Sequence, residues 1–422
     1  MMPTSRFGNA WAWIPSLYFV QGLPYVVVMT VSTIMLKDLG MENDDIALYT
    51  SLLYLPWVIK PVWSPIIEVS NTKRNWTIWM QWGLGIGFIG LGLGLRLPDF
   101  FLVSIGIMWI LALASATHDI AADGFYMLGL NEGDQAFFVG FRSLFYRIAM
   151  MSGEGGLVIL AGYLSRSQDN VDAWAITMST LGAMILLFGF LHRWSMPRPA
   201  TDRGEGKVDW QQVGTTISSF FQKDKIGVIL AFLLLFRFGE AQLVKLIGPF
   251  MLDPKEAGGL GLDTETVGML NLYFGVPALI LGGILGGILA SRDGMKTWFW
   301  PMVAAINLPN LAYVWLAWTQ STAFWEVGSM VALEKFGYGF GFTGFMLYLL
   351  YIAKGSFKTA HYALGTGLMA LGMMIPGMWS GTLQASIGYL NFFVWVMIAT
   401  IPSFVISYFV PLDPTFGKKD ST

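Results

Sequence analysis

The sequence predicts an all-α membrane fold of twelve transmembrane helices in two pseudo-symmetric six-helix bundles. Three observations carry this expectation. Hydrophobic residues make up 55% of the 422 and charged residues 12%, about half the charged share usual in soluble domains, and a single soluble core could not hide that much apolar surface. A short polar hinge between two apolar runs occurs twice, as S-P-I-I-E-V-S-N-T-K over Ser64–Lys73 and as G-I-L-A-S-R-D-G-M-K over Gly287–Lys296. Aligning Glu68 with Ser291 sets the copies 223 residues apart, about half the chain, which points to one bundle present twice.

Roughly 20 apolar residues cross a bilayer, so cutting the chain at its polar clusters places the helices in order. The first, near 10–37, is too long for a signal-peptide core and lacks a cleavage site, so it reads as a retained span. The second, 45–68, runs from M-E-N-D-D to the first hinge, and the third, 76–96, leaves that hinge. The fourth, 100–128, and the fifth, 135–164, flank N-E-G-D, and the sixth, 171–194, stops at M-P-R-P. The longest polar stretch, Arg193–Lys225, follows, where a linker between halves belongs. The second half repeats the plan: 226–251, 264–291 up to the second hinge, 297–319 after it, then 323–354, 359–387 and 390–411. The expected organisation is therefore a six-helix bundle over 1–195, a linker over 196–225, a second bundle over 226–411 and a tail over 412–422.

Lys and Arg placement orients the spans. With the N-terminus inside, fifteen of the 25 basic residues fall on the cytoplasmic side, including Arg6, Lys73, Arg74, Arg193, Lys207, Arg292, Lys296, Lys418 and Lys419. Four fall outside (Lys37, Arg96, Arg166 and Lys255), and six lie within spans. Both termini are expected in the cytoplasm. The net charge of −2 is uninformative about partners, and there is no basic tract for nucleic acid. Zero cysteines exclude disulfide and thiolate chemistry. Nothing in the sequence calls for a cofactor or a metal.

Ionisable residues inside a bilayer are costly unless paired or facing a cavity, which makes each a functional candidate. In A-T-H-D-I-A-A-D-G, Asp119 and Asp123 stand four apart on one helical face, while His118 points roughly 100° away. Arg142, Arg147 and Glu154 lie on the next helix, and Arg147 or Arg142 is expected to neutralise Asp119 or Asp123. Such a pair can be a structural register lock, or a proton switch in which protonating the acid frees the arginine for an anionic substrate. Asp119, Asp123 and Arg147 are the candidates for proton coupling. Lys60 beside Pro61, and Arg237 three residues before Glu240, are candidates for a substrate cavity, with Gln21 and Tyr25 of the Gly–Pro-interrupted Q-G-L-P-Y. Lys245 and the Glu334–Lys335 pair complete the intramembrane charges. The 18 Trp read as interfacial anchors, and single glycines read equally well as tight helix packing.

The hinge G-x-L-A-S-R-x-G-x-K resembles the signature loop of the major facilitator superfamily, with Gly287, Arg292 and Gly294 matching and Ser291 standing where that family has Asp. The first copy is degenerate but keeps an acid, Glu68, at that position. The resemblance implies a six-plus-six fold with a central cavity, alternating access and a monomer. Q-G-L-P-Y, I-K-P-V-W-S-P-I-I-E, A-T-H-D-I-A-A-D-G, Y-R-I-A-M-M-S-G-E-G-G and F-R-F-G-E are similar to segments of the AmpG-type muropeptide permeases, which group with acetyl-coenzyme A and siderophore permeases. That branch implies proton-driven import, across a bacterial inner membrane, of amino-sugar fragments of the cell wall, N-acetylglucosaminyl-anhydro-N-acetylmuramyl saccharides with or without peptide. His118 replaces the branch's Gln and Glu240 its usual Asp, so a siderophore or another anionic oligosaccharide or metabolite remains an alternative cargo. An enzyme of another class, an intramembrane acyltransferase using His118 and Asp119, would leave the repeat unexplained.

Overall fold

Apolar runs bounded by polar clusters fold as helix, and helix covers each of the twelve expected passes in the computed structural model of the protein. The structure describes residues 10–130, 132–203, 206, 208–354, 357–413 and 416. Arg6, Lys207, Lys418, Lys419 and most of the expected tail lie outside the described residues. Among the described residues there is no strand. Helix satisfies its own backbone groups, as a chain in lipid must. Among the described residues, seven helical stretches are long and apolar enough to cross a membrane by length and composition.

Several passes are broken where the sequence places unusual residues. Pro24 lies inside the helix Ile14–Val26, and the next turn, Val27–Val31, widens to π geometry. Two more π turns, Ser152–Leu157 and Asn271–Gly275, interrupt the fifth and eighth passes; such turns are frequent at functional sites. The second pass breaks at Leu53–Tyr54 between the helices Asn43–Leu52 and Leu55–Ser70. The seventh breaks at Phe236–Arg237, between Ile226–Leu235 and Phe238–Leu252. Gly388, at φ 77°, turns the chain between the eleventh and twelfth passes, a conformation that favours glycine.

The chain divides into two units. The first is Met1–Ser32 with Ile59–Trp210. Its helix Lys73–Gly94 packs on Phe100–Gly129 and Asn170–Ser195. Glycine makes that approach possible: a Cβ on Gly182 would lie 2.5 Å from the Gly85 carbonyl oxygen, and one on Gly92 would collide with the Ala175 carbonyl. In lipid, where apolar surface gains nothing by leaving solvent, such close van der Waals packing holds helices together. Ile14–Val26 packs on Glu132–Met151, and Trp13, Tyr18, Phe125 and Tyr126 form an aromatic core beside them.

The second unit is Thr33–Val58 with Gln211–Thr422. The short helix Asn43–Leu52 lies against Lys358–Ile398 and Phe238–Leu252. Here too glycine sets the distance, since a Cβ on Gly377 would sit 2.6 Å from Ser51 Oγ. Val276–Asp293 packs on Phe324–Ile352, where side chains on Gly282 or Gly339 would collide with the Phe336 or Leu279 carbonyl. Phe232, Phe236, Phe299, Phe345 and Tyr348 fill the core next to it.

Candidate functional site

Two ion pairs join intramembrane charges of the first unit. Arg142 Nη2 donates to Asp123 Oδ1 at 2.8 Å, and the Tyr18 hydroxyl donates to the same oxygen at 3.4 Å. The Arg142 guanidinium stacks over the rings of Tyr18 and Tyr126, with its carbon 4.5 and 4.9 Å from the centroids. An aromatic cage of this kind holds a cation by its ring faces. One helical turn earlier, Asp119 Oδ2 lies 3.7 Å from Lys60 Nζ, with both side chains partly exposed. Of the pairings expected from the neighbouring helix, Arg142 meets Asp123, and Lys60 of the second pass lies within reach of Asp119. Gln21 is buried, and its Oε1 has no hydrogen-bond partner. Tyr25 and Arg147 are half-buried.

His118 does face away from this group, as its helical position requires. It belongs to a buried chain in which Ser16 Oγ meets His192 Nε2 at 2.8 Å, His192 Nδ1 donates to Gln81 Oε1 at 2.9 Å, and Gln81 Nε2 donates to His118 Nε2 at 3.0 Å. Four passes are thereby tied by side chains that are buried or nearly so, an arrangement that specifies register. The imidazole is held within this side-chain network.

In the second unit Arg237 sits at the break of the seventh pass and grips Glu240 with two parallel bonds, Nε to Oε2 at 2.5 Å and Nη2 to Oε1 at 2.8 Å. Its Nη2 also donates to the Tyr338 hydroxyl at 3.1 Å, and its guanidinium lies over the Tyr338 and Phe342 rings. Both members are buried. A bidentate, fully hydrogen-bonded pair of this kind is the form in which two charges survive burial.

Two further polar groups of the second unit have partners that the sequence does not indicate. Lys245 Nζ donates to Thr50 Oγ1 at 3.1 Å and lies 5.0 Å from the Tyr54 ring centroid. Asp253 binds Lys37 Nζ at 2.7 Å through Oδ1, while its Oδ2 accepts from the Tyr389 hydroxyl at 2.6 Å and from Asn43 Nδ2 at 3.1 Å. Asn43 Nδ2 also reaches Gln384 Oε1 at 2.8 Å. Asp253 stands in the polar D-P-K-E cluster, which the sequence marks only as a loop.

The two hinges differ in detail. In the first, Glu68 is exposed, and the acid that caps the next helix comes from the linker: Asp202 accepts from the backbone N–H of Lys73 at 2.7 Å and of Arg74 at 3.0 Å. Arg74 in turn donates to the carbonyls of Met196 and Arg193 at the end of the sixth pass. In the second, the Ser291 hydroxyl turns back to the Ile288 carbonyl at 2.8 Å. Asp293 takes the acidic role instead, bonded to Arg292 at 2.9 and 3.0 Å and to Trp298 Nε1 at 2.9 Å. Gly287 is open to its surroundings, and Gly294, at φ 90°, joins Val276–Asp293 directly to Met295–Asn307.

Solved transporters superpose on the chain almost end to end. The D-xylose–proton symporter matches with a TM-score of 0.72 at 12% identity, covering 96% of this chain and 98% of that one. The nucleoside transporter NupG matches at 0.68 and 16%, covering 94% and 96%. The fold is that of the major facilitator superfamily. No protein-family model matches the chain. Among curated proteins, the anhydromuropeptide permease of Escherichia coli is 25% identical over 407 residues, 92% of this chain and 77% of the relative. Transporter AmpG 4 of Rickettsia conorii is 22% identical over 413 residues, covering 93% and 94%. The major facilitator fold and these relatives make the protein a multi-pass membrane transporter similar to the AmpG permeases, and they set aside the acyltransferase reading.

Proposed function

We propose that the protein is a proton-coupled symporter of the bacterial inner membrane that imports cell-wall-derived amino-sugar saccharides, of which N-acetylglucosaminyl-anhydro-N-acetylmuramate with or without its peptide is the type. Both termini face the cytoplasm, and the monomer is the working unit. The likeness to the E. coli anhydromuropeptide permease over 92% of the chain carries the substrate class. The coupling role rests on one observation: Asp119 and Asp123, one turn apart, each face a cation, Lys60 at 3.7 Å and Arg142 at 2.8 Å. A carboxylate that takes a proton from outside releases its cation, and the released cation attracts an anionic group of the cargo. Return of the empty carrier follows loss of the proton inside. Gln21, Tyr25 and Lys60 from the first unit, and Arg237 and Glu240 from the second, supply hydrogen bonds and charge to the saccharide. Arg147 stays with Asp119 and Asp123 as part of the coupling group. The hinge residues Glu68, Gly287, Arg292 and Gly294 serve the inversion between outward and inward states.

Uptake of radiolabelled saccharide into proteoliposomes tests this reading. Accumulation above the external concentration under an imposed inward proton gradient, collapsed by a protonophore, is the expected result. Gradient-independent equilibration, or uptake of siderophores and acidic disaccharides with no uptake of the anhydro-saccharide, overturns the coupling or the cargo respectively.

A further inference from the structure

Lys245 stands apart from the other intramembrane cations whose partners are described above. Lys60, Arg142 and Arg237 each have a carboxylate within 4 Å. Lys245 is fully buried, and among the described residues its partners are the Thr50 hydroxyl at 3.1 Å and the face of Tyr54 at 5.0 Å. The Thr50 hydroxyl proton is committed to the Ile46 carbonyl at 2.6 Å, so the oxygen offers Lys245 a lone pair and nothing more. An ammonium has three donors; one hydroxyl and one ring face replace only part of its hydration, and no counter-charge is supplied. Burying a cation in this manner costs several kcal/mol.

Both partners of Lys245 belong to one short stretch of chain. Thr50 and Tyr54 belong to the stretch 33–58, which packs with the second unit but is continuous in sequence with the first at both ends. Tyr54 lies at the break between Asn43–Leu52 and Leu55–Ser70, and the contact with Lys358–Ile398 runs over the bare backbone of Gly377, next to Ser51 and Lys245. Ser51 Oγ is buried there without a hydrogen-bond partner. Withdrawal of this stretch would strip Lys245 of both its partners at once and leave an uncompensated positive charge at a freshly opened surface.

We infer that Lys245 is an anion-binding, specificity-determining residue that receives the carboxylate of the cargo when the Asn43–Leu52 helix and Tyr54 withdraw from the seventh pass. The inference rests on the transport reading above and deepens it: the cargo class is a saccharide bearing a carboxylate, and the carboxylate is the group selected. The absence of an acid beside it among the described residues is what keeps the position free for an external one.

Two measurements test it, the first independent of any cargo. The chain has no cysteine, so Ser51→Cys gives a single thiol beside Lys245. In proteoliposomes this thiol is treated with an anionic sulfonate and a cationic trimethylammonium methanethiosulfonate, each rate being divided by that of a free thiol. The anionic reagent is expected to react faster by on the order of tenfold, the low end of electrostatic focusing in a cleft. Lys245→Met should bring the ratio near one, and Lys245→Arg should preserve it. A thiol that reacts with neither reagent, or a ratio that Lys245→Met leaves unchanged, overturns the inference. The second measurement is binding of the anhydro-disaccharide and of its carboxyl methyl ester to purified protein. The wild type should prefer the free acid about tenfold, and Lys245→Met should bind both as the wild type binds the ester; equal loss of both ligands overturns the inference. A wild type that binds neither sugar removes the proposed cargo, while the thiol ratio still decides the role of Lys245.

Discussion

Lys37 and Asp253 meet with Nζ 2.7 Å from Oδ1, and the second oxygen of the same carboxylate accepts from Tyr389 and Asn43. One carboxylate thereby holds together the end of the first pass, the start of the second, the end of the seventh and the start of the twelfth. Asp253→Ala leaves the Lys37 ammonium largely buried without its acid, and loss of one member of a buried pair costs about 3–5 kcal/mol. The melting temperature in detergent should fall by several degrees, and Lys37→Met added to Asp253→Ala should recover part of the loss. A Lys37→Met change that costs as much in the Asp253→Ala background as in the wild type would show that the two residues are not energetically coupled.

Asp119→Asn and Asp123→Asn each keep the shape of the acid and remove its ability to carry a proton. Gradient-driven accumulation should fall to the passive level in at least one of the two, while expression and saccharide exchange down its gradient persist. Full uphill transport by the double variant would remove both residues from coupling.

Glu240→Gln breaks the bidentate grip on Arg237 and leaves the guanidinium with Tyr338 and two ring faces. A destabilisation of about 3 kcal/mol is expected from stranding a buried charge. Arg237→Met combined with Glu240→Gln should be the less damaged protein. Melting of the two singles and the double gives the coupling energy directly.

Gly339 approaches the Leu279 carbonyl too closely for any side chain, whereas nothing lies within 4 Å of a Cβ on Gly287. Gly339→Leu should destabilise by at least about 1–3 kcal/mol, the cost of overpacking. Gly287→Ala should be neutral or slightly stabilising, since it sits in a helix with open space. Reversal of that order would mean that the glycines serve flexibility in preference to packing.

The helical runs were legible because span length and polar interruption are local properties of the chain. The identity of the intramembrane charges was legible for the same reason. Their partners were not. Asp119 and Asp123 share a face, yet which cation each face meets depends on the rotation of whole helices, and the structure sends Lys60 to one and Arg142 to the other. Arg237 and Glu240 were readable as a pair because their three-residue spacing makes the contact local. Asp202, Asp253 and the Ser16–His192–Gln81–His118 chain left no such trace, since each joins segments remote in sequence. Lys245 was visible as a charge, but the lack of an acid beside it among the described residues is a property of three-dimensional packing alone.

The single-residue joint at Gly294 leaves no slack between the helices it connects. Its φ of 90° fixes the turn in a basin closed to residues with a Cβ. A tilt of Val276–Asp293 is therefore transmitted to Met295–Asn307 as by a crank, without a flexible strap to absorb it. The eighth and ninth passes should then travel as one lever, pivoting at a point where a lone methyl group would jam the stroke.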